Sequence, residues 1–140
     1  MKNAVIADSS GLISIFSPND SNHDLAIRVS KKIAQDNQTV CIPSDIFSET
    51  LNVVGKKISQ DIAYIIGSTL LQDTRFLIID VTAAILQDAL KILQKQPASV
   101  SYTDCVVMAA ANSLKTKEIF GFDKVFHKSG YIRIGLDDGK

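Results

Sequence analysis

Short apolar runs alternate with longer stretches of helical period along most of the chain. Residues 4–7, Ala-Val-Ile-Ala, predict a buried strand ending at Asp8. Ser9 or Ser10 can cap the short helix that follows, which carries Leu12, Ile13 and Phe16 and closes at Pro18 and Asn19. Leu25, Val29 and Ile33 share one stripe of a second helix over 22–35. The β-branched run 39–42 predicts a second strand, broken at Pro43. Ser44 or Asp45 starts a helix through Phe47, Leu51, Val54 and Ile58, and Ser59 caps another carrying Ile62, Ile65, Ile66 and Leu70. A third strand covers 76–79, and a helix over 82–94 turns Ile85, Leu86, Ala89, Leu90 and Leu93 inward until Pro97 stops it. A helix over 101–114, a strand over 118–122 and a short strand over 131–134 complete the pattern.

Strands separated by helices point to a parallel sheet, because parallel neighbours need crossover connections. The expected fold is an α/β/α sandwich around a mainly parallel sheet of four to five strands, with a single domain over 1–134. The tail 135–140 reads as polar and frayed, with Asp137 and Asp138 as solubilising charge.

Composition changes this picture little. The chain has 140 residues, 46% apolar and 21% charged, an ordinary mix for a globular protein. Its formal net charge is zero, so bulk charge does not make it a polyanion binder, and any nucleic-acid affinity must come from local patches. Cys41 and Cys105 lie in apolar runs without metal-ligand spacing and read as buried, reduced thiols. The N-terminal apolar run is too short for a signal peptide, and no run nears the roughly 18 apolar residues of a membrane helix. A cytoplasmic protein without a membrane segment is expected.

In open α/β sheets, ligand sites form beyond the C-terminal ends of the strands. Asp8, Asp80 and Asp123 follow the first, third and fourth predicted strands, Glu49 lies in the helix after the second, and Asp104 near the start of the helix before the fourth. Asp8 can serve as a helix cap, and Asp80, followed by a clean amphipathic helix, reads as one. Glu49 fits either a solvated helix face or a flank shared with Ile46 and Val53. Asp104 projects along the stripe of Val107, Met108 and Ala111, while Ser101-Tyr102-Thr103-Asp104 also fits a capping box. Taken together, Asp8, Glu49, Asp104 and Asp123 at one sheet edge would repel one another unless a divalent cation stood between them. Oxygen ligands without histidine or cysteine suit Mg²⁺ or Mn²⁺. An ion that keeps several waters can turn one of them on a phosphodiester. No Ser, Cys or His nucleophile is needed, and no convincing triad is present.

The run NAVIADSSGLISIF resembles the opening of PIN domains: a strand, the first acid, a hydroxyl residue two later, then an apolar helix. PSDIFSETLNVV is similar to the segment with their second acid, SYTDCVVMAAA to the third-acid helix, and FGFDKVFHKSGYIRI to the fourth acid and closing strand. The segments occur in the family's order and span nearly the whole chain. Size and layout look most like the VapC toxins of toxin–antitoxin pairs. The resemblance implies a Mg²⁺- or Mn²⁺-dependent endoribonuclease leaving a 5′-phosphate and a 3′-hydroxyl. It also implies a homodimer, inhibited by a small antitoxin that covers the acidic groove. Asp8, Glu49 and Asp104 would hold the metal, Asp123 would join them directly or through water, and Ser10 and Ser101 would support the site by hydrogen bonds. His23 sits where many relatives carry a histidine, although a loop or packing role is its ordinary reading.

No tract is strongly basic, so RNA contacts would come from scattered residues, with Lys31 and Lys32, Lys56 and Lys57, and Lys124 and Lys128 as candidates. A non-catalytic PIN-like module binding RNA or protein is the main alternative. A PIN nuclease of RNA processing, outside toxin–antitoxin biology, is another. An aspartyl phosphotransferase of the haloacid-dehalogenase type would want a second aspartate at position 10, where this chain has Ser10. A receiver domain would want an acidic pair after the first strand, which is missing.

Overall fold

Five strands form one sheet: β1 (Ala4–Ala7), β2 (Thr39–Pro43), β3 (Phe76–Ile79), β4 (Glu118–Phe120) and β5 (Ile132–Arg133). Their order is β3-β2-β1-β4-β5, and every neighbouring pair is parallel. This is a computed structural model, in which residues 3–138 are described. Seven helices connect the strands: α1 (Ser9–Phe16), α2 (His23–Gln35), α3 (Ser44–Lys57), α4 (Gln60–Gln72), α5 (Ala83–Gln94), α6 (Tyr102–Ser113) and α7 (Lys124–Lys128). The chain steps from β1 to β2 to β3 in one direction and returns past β1 to β4. Right-handed crossovers therefore put helices on both faces of the sheet. The expected three-layer α/β/α fold is present, with an all-parallel sheet.

The central strand β1 is buried along its whole length, which explains its uninterrupted apolar sequence. Helix α6 packs on α5, β1 and β2, and every residue from Cys105 to Ala111 is buried. Its small side chains, Ala109, Ala110 and Ala111 among them, let the helix lie deep in the molecule. Cys41 and Cys105 are both buried in this core, as their apolar contexts imply. Among the described residues, no helix is long and apolar enough to cross a membrane.

Four local expectations need correction. Thr82, not Asp80, caps α5, its hydroxyl accepting the Ile85 N–H at 3.2 Å, and Asp80 is exposed. Strand β4 stops at Phe120 because the next two residues leave the sheet, the Phe122 N–H being donated to Ser10 Oγ at 3.2 Å. Helix α7 follows at once, where no element was expected. Finally, the tail is tied down through Asp138: Gly135 N–H donates to Asp138, and Lys32 pairs with the same carboxylate at 2.7 Å. Gly139 and Lys140 lie outside the described residues.

Candidate active site at the β1–β4 switch point

The direction of strand addition reverses at β1, which has β2 on one side and β4 on the other. Connections leave β1 and β4 in different directions, opening a crevice beyond their C-terminal ends. Asp8 directly follows β1, and Gly121, Phe122 and Asp123 directly follow β4. The sheet itself joins the two segments, since Asp8 N–H donates to Phe120 O at 3.0 Å.

Asp8 caps α1 and is 5% exposed. One carboxylate oxygen accepts the Ser10 hydroxyl at 2.8 Å and the Ser10 N–H at 3.4 Å. These hydrogen bonds favour the charged form, but burial outweighs them, and the charges of Asp104 and Glu49 add to it. The Asp8 pKa is pushed up to about 6. Asp8 thus caps α1 while lying within electrostatic reach of Asp104 and Glu49. Gly121 makes room for it: a Cβ there would stand 2.8 Å from Asp8 Cβ, closer than real carbons approach. A glycine between the last strand residue and the fourth acid, in Phe-Gly-Phe-Asp, was the available signal.

Glu49 lies in α3 and accepts the Ser9 hydroxyl at 2.5 Å, which ties the start of α1 to α3. Sequence reasoning treated Ser9 only as a cap and gave it no place at the site. Asp104 sits at the third position of α6 in a reciprocal capping box: Ser101 Oγ accepts the Asp104 N–H at 3.1 Å, and the Asp104 carboxylate accepts the Ser101 N–H at 3.4 Å. Burial, then the charges of Asp123 and Glu49, raise the Asp104 pKa. Asp123 is exposed and caps α7 through the Val125 N–H at 3.0 Å. The four acids are therefore within electrostatic reach of one another as a chain of neighbours, and a cleft of about 480 Å³ is lined by Asp104 and Asp123. His23 stands apart from them and bonds the Ser14 carbonyl at 2.7 Å, a packing role.

The backbone of Phe122 is clamped on both sides of its Cα. Its N–H meets Ser10, which in turn holds Asp8, and its carbonyl accepts Arg133 Nη1 at 3.1 Å. Arg133 is fixed by Asp137, which takes its Nε at 3.0 Å, its Nη2 at 2.9 Å and its backbone N–H at 2.8 Å. The Arg133 hydrogen bonds come first in lowering the Asp137 pKa to about 2, and His127, 3.2 Å away, adds a smaller pull. Residues expected to be solvated tail charge thus brace the loop that bears the fourth acid.

The donor set fits a hard divalent cation: carboxylates only, one of them deeply buried and held with mutual repulsion. A ready-made shell is a different matter. Among the described residues, no group of three Asp, Glu, His or Cys side chains is arranged to hold a metal ion by itself. Mg²⁺ does not require one, since one or two carboxylates suffice when water and substrate phosphate fill its other positions. The residues fit such an ion on those terms.

Comparison with known proteins agrees with this geometry. The sequence matches the PIN domain family over residues 5–130. VapC20 of Mycobacterium tuberculosis, described as a toxin cleaving the sarcin–ricin loop, has a similar fold, with a TM-score of 0.83 at 18% identity over 93% of this chain and 98% of that one. VapBC2 of Rickettsia felis, bound to a DNA fragment from its promoter, matches with a TM-score of 0.61 at 16% identity over 80% of this chain and 83% of that one. A toxin–antitoxin complex from Klebsiella pneumoniae gives 0.55 at 17% identity over 79% and 80%. No curated protein matches the sequence. With nearly the whole domain covered by the family match and the acids gathered at the switch point, the chain belongs to the PIN domain family.

Proposed function

We propose that the chain is an endoribonuclease that hydrolyses RNA phosphodiester bonds with a divalent cation, Mg²⁺ or Mn²⁺, and that it is the toxin of a toxin–antitoxin pair. The observation that carries this reading is the mutual repulsion of Asp8, Glu49 and Asp104 at the switch point, with Asp123 repelling Asp104. A fold does not keep a buried carboxylate beside other carboxylates for stability, because desolvation and like charge both oppose it.

When bound, the ion supplies an activated water and positive charge at the phosphoryl oxygens. Asp8, Glu49 and Asp104 would hold it together with water and substrate phosphate, and Asp123 would join them directly or through water. Ser10 fixes the Asp8 carboxylate, Ser101 fixes Asp104, and Ser9 fixes Glu49. Gly121 keeps space open beside Asp8. The catalytic unit is the whole single domain, extended past residue 134 to include the Arg133–Asp137 brace.

The second reading is a PIN module that binds RNA without cutting it. RNA cleavage by the purified protein, with Mg²⁺, with Mn²⁺ and with EDTA, separates the two. Metal-dependent cutting that disappears in Asp104→Asn supports the nuclease. Folded, inhibitor-free protein that binds a broad RNA panel but cuts none of it supports the module.

Two of the structural relatives are toxin–antitoxin assemblies, which supports a small antitoxin as partner. Tyr64, Ile65 and Leu71 leave apolar surface exposed on α4 that such a partner, or a second copy in a homodimer, can cover. The cytoplasm is the compartment this reading implies. An open reading frame for a small DNA-binding protein beside this one would favour the toxin assignment over a role in RNA processing.

A further inference from the structure

A metal-binding cluster of acids repels the substrate of a ribonuclease until cations elsewhere compensate, and this protein has no net positive charge to supply them. The cleft that holds Asp104 and Asp123 is also lined by Lys95, Lys124 and Lys128. All three lysines are exposed, and among the described residues none is paired with a carboxylate. Other lysines are committed elsewhere: Lys32 to Asp138, and Lys117 over the Tyr131 ring at 4.9 Å.

The three cleft lysines stand on ordered backbone. Lys95 is the C-cap of α5, its N–H donated to the Ile92 and Leu93 carbonyls. Lys124 and Lys128 are four apart on α7, so they share a face about 6 Å apart along the axis. That separation lets the two ammonium groups meet successive phosphates rather than the same one. The cleft's volume of about 480 Å³ is on the scale of a small ligand and has room for a short length of one strand.

We propose that Lys95, Lys124 and Lys128 form the phosphate track for a single RNA strand, carrying it from the Asp104/Asp123 end of the site along α7 and the turn after α5. Lys31, Lys56 and Lys57, on α2 and α3, lie off this track. The inference rests on the ribonuclease reading for its choice of RNA, and its test reads binding separately from cutting.

The test is binding of a labelled single-stranded RNA of mixed sequence to the full chain in EDTA, followed by fluorescence anisotropy between 50 and 200 mM salt. The triple variant Lys95→Gln, Lys124→Gln, Lys128→Gln should bind at least about tenfold more weakly at 50 mM, and the slope of log affinity against log salt should fall by about 2. A comparison variant, Lys31→Gln, Lys56→Gln, Lys57→Gln, should stay within about twofold of the parent. With Mg²⁺ present, KM should rise in the cleft variant while kcat changes far less. A parental slope in the cleft variant, an equal loss in the comparison variant, or no RNA binding by the parent protein overturns the track. Binding that follows the cleft lysines in a parent that cuts no RNA retains the track and removes the nuclease reading instead.

Discussion

Asp8 and Asp137 are both nearly buried carboxylates, 5% exposed as a residue and 10% exposed at the side chain, and their chemistry is opposite. Asp137 meets a guanidinium through two hydrogen bonds and sits near pKa 2; Asp8 meets only Ser10 and the charges of other acids and is pushed up to about 6. The two are linked through one residue, since Ser10 and Arg133 hold the N–H and the carbonyl of Phe122. Where this fold needs a carboxylate for strength, it supplies a cation from its own chain. Where it leaves the carboxylate uncompensated, the compensating charge has to come from outside, which is what the proposed metal would supply.

The sharpest way to break the contrast is Asp8→Asn. Cleavage should fall at least about a thousandfold, a rise of about 4 kcal/mol in the barrier. The metal-free variant should meanwhile be more stable than the parent at pH 7, by up to about 3 kcal/mol. The sign follows from a folded pKa above the ordinary value: the Asp8 penalty is absent below pH 4, grows as pH rises, and is complete above about 6. Equal melting at pH 4 and separation at pH 7, measured by thermal scans in EDTA, would confirm it.

Gly121→Ala disturbs the same carboxylate without touching its charge. The added carbon forces Asp8 or the 121–123 loop to shift, with an expected cost of about 1–3 kcal/mol in denaturant unfolding. Cleavage should drop by about a hundredfold, since a displacement of that kind misaligns the reacting groups.

Asp137→Asn tests the compensated side. Its folded pKa lies below the ordinary value, so its stabilisation is complete above pH 4 and is lost as pH falls toward 2. The variant should be less stable by about 1 kcal/mol at pH 7, after allowance for solvent screening, and the difference should vanish near pH 2. Asp8 and Asp137 variants should therefore show pH dependences of opposite sign, which melting curves at four or five pH values will resolve. The smallest effect belongs to Ser9→Ala. Loss of one hydrogen bond to Glu49 should slow cleavage a few-fold and cost less than about 1 kcal/mol of stability.

What the sequence made legible was what depends on local pattern. Uninterrupted apolar runs marked β1 and β2, and residues following strands marked Asp8 and Asp123. Ser101 and Asp104 were readable as a capping box from their spacing alone. Helix α7 escaped because five residues are too few to show a helical period. Asp80 misled because an aspartate before an amphipathic run is a good cap, yet the nearer Thr82 took the position. The Ser9–Glu49 contact spans 40 residues, and the meeting of Lys95 with Lys124 and Lys128 depends on how α5 ends beside α7. Arg133 and Asp137 are four apart, but outside a helix that spacing carries no message, so their pairing waited on the turn after β5.

The central place of β1 in the sheet also has a consequence for the order in which the protein comes into being. During synthesis from the N-terminus, β1, β2 and β3 are all made before β4, and they can pair as one half-sheet with the far edge of β1 still open. Until β4 fills that edge, Asp8 lacks its hydrogen bond to Phe120, Ser10 lacks Phe122, and Asp123 has not yet been added. Incomplete chains therefore lack the assembled cluster of acids, and the proposed site is the last part of the molecule to form.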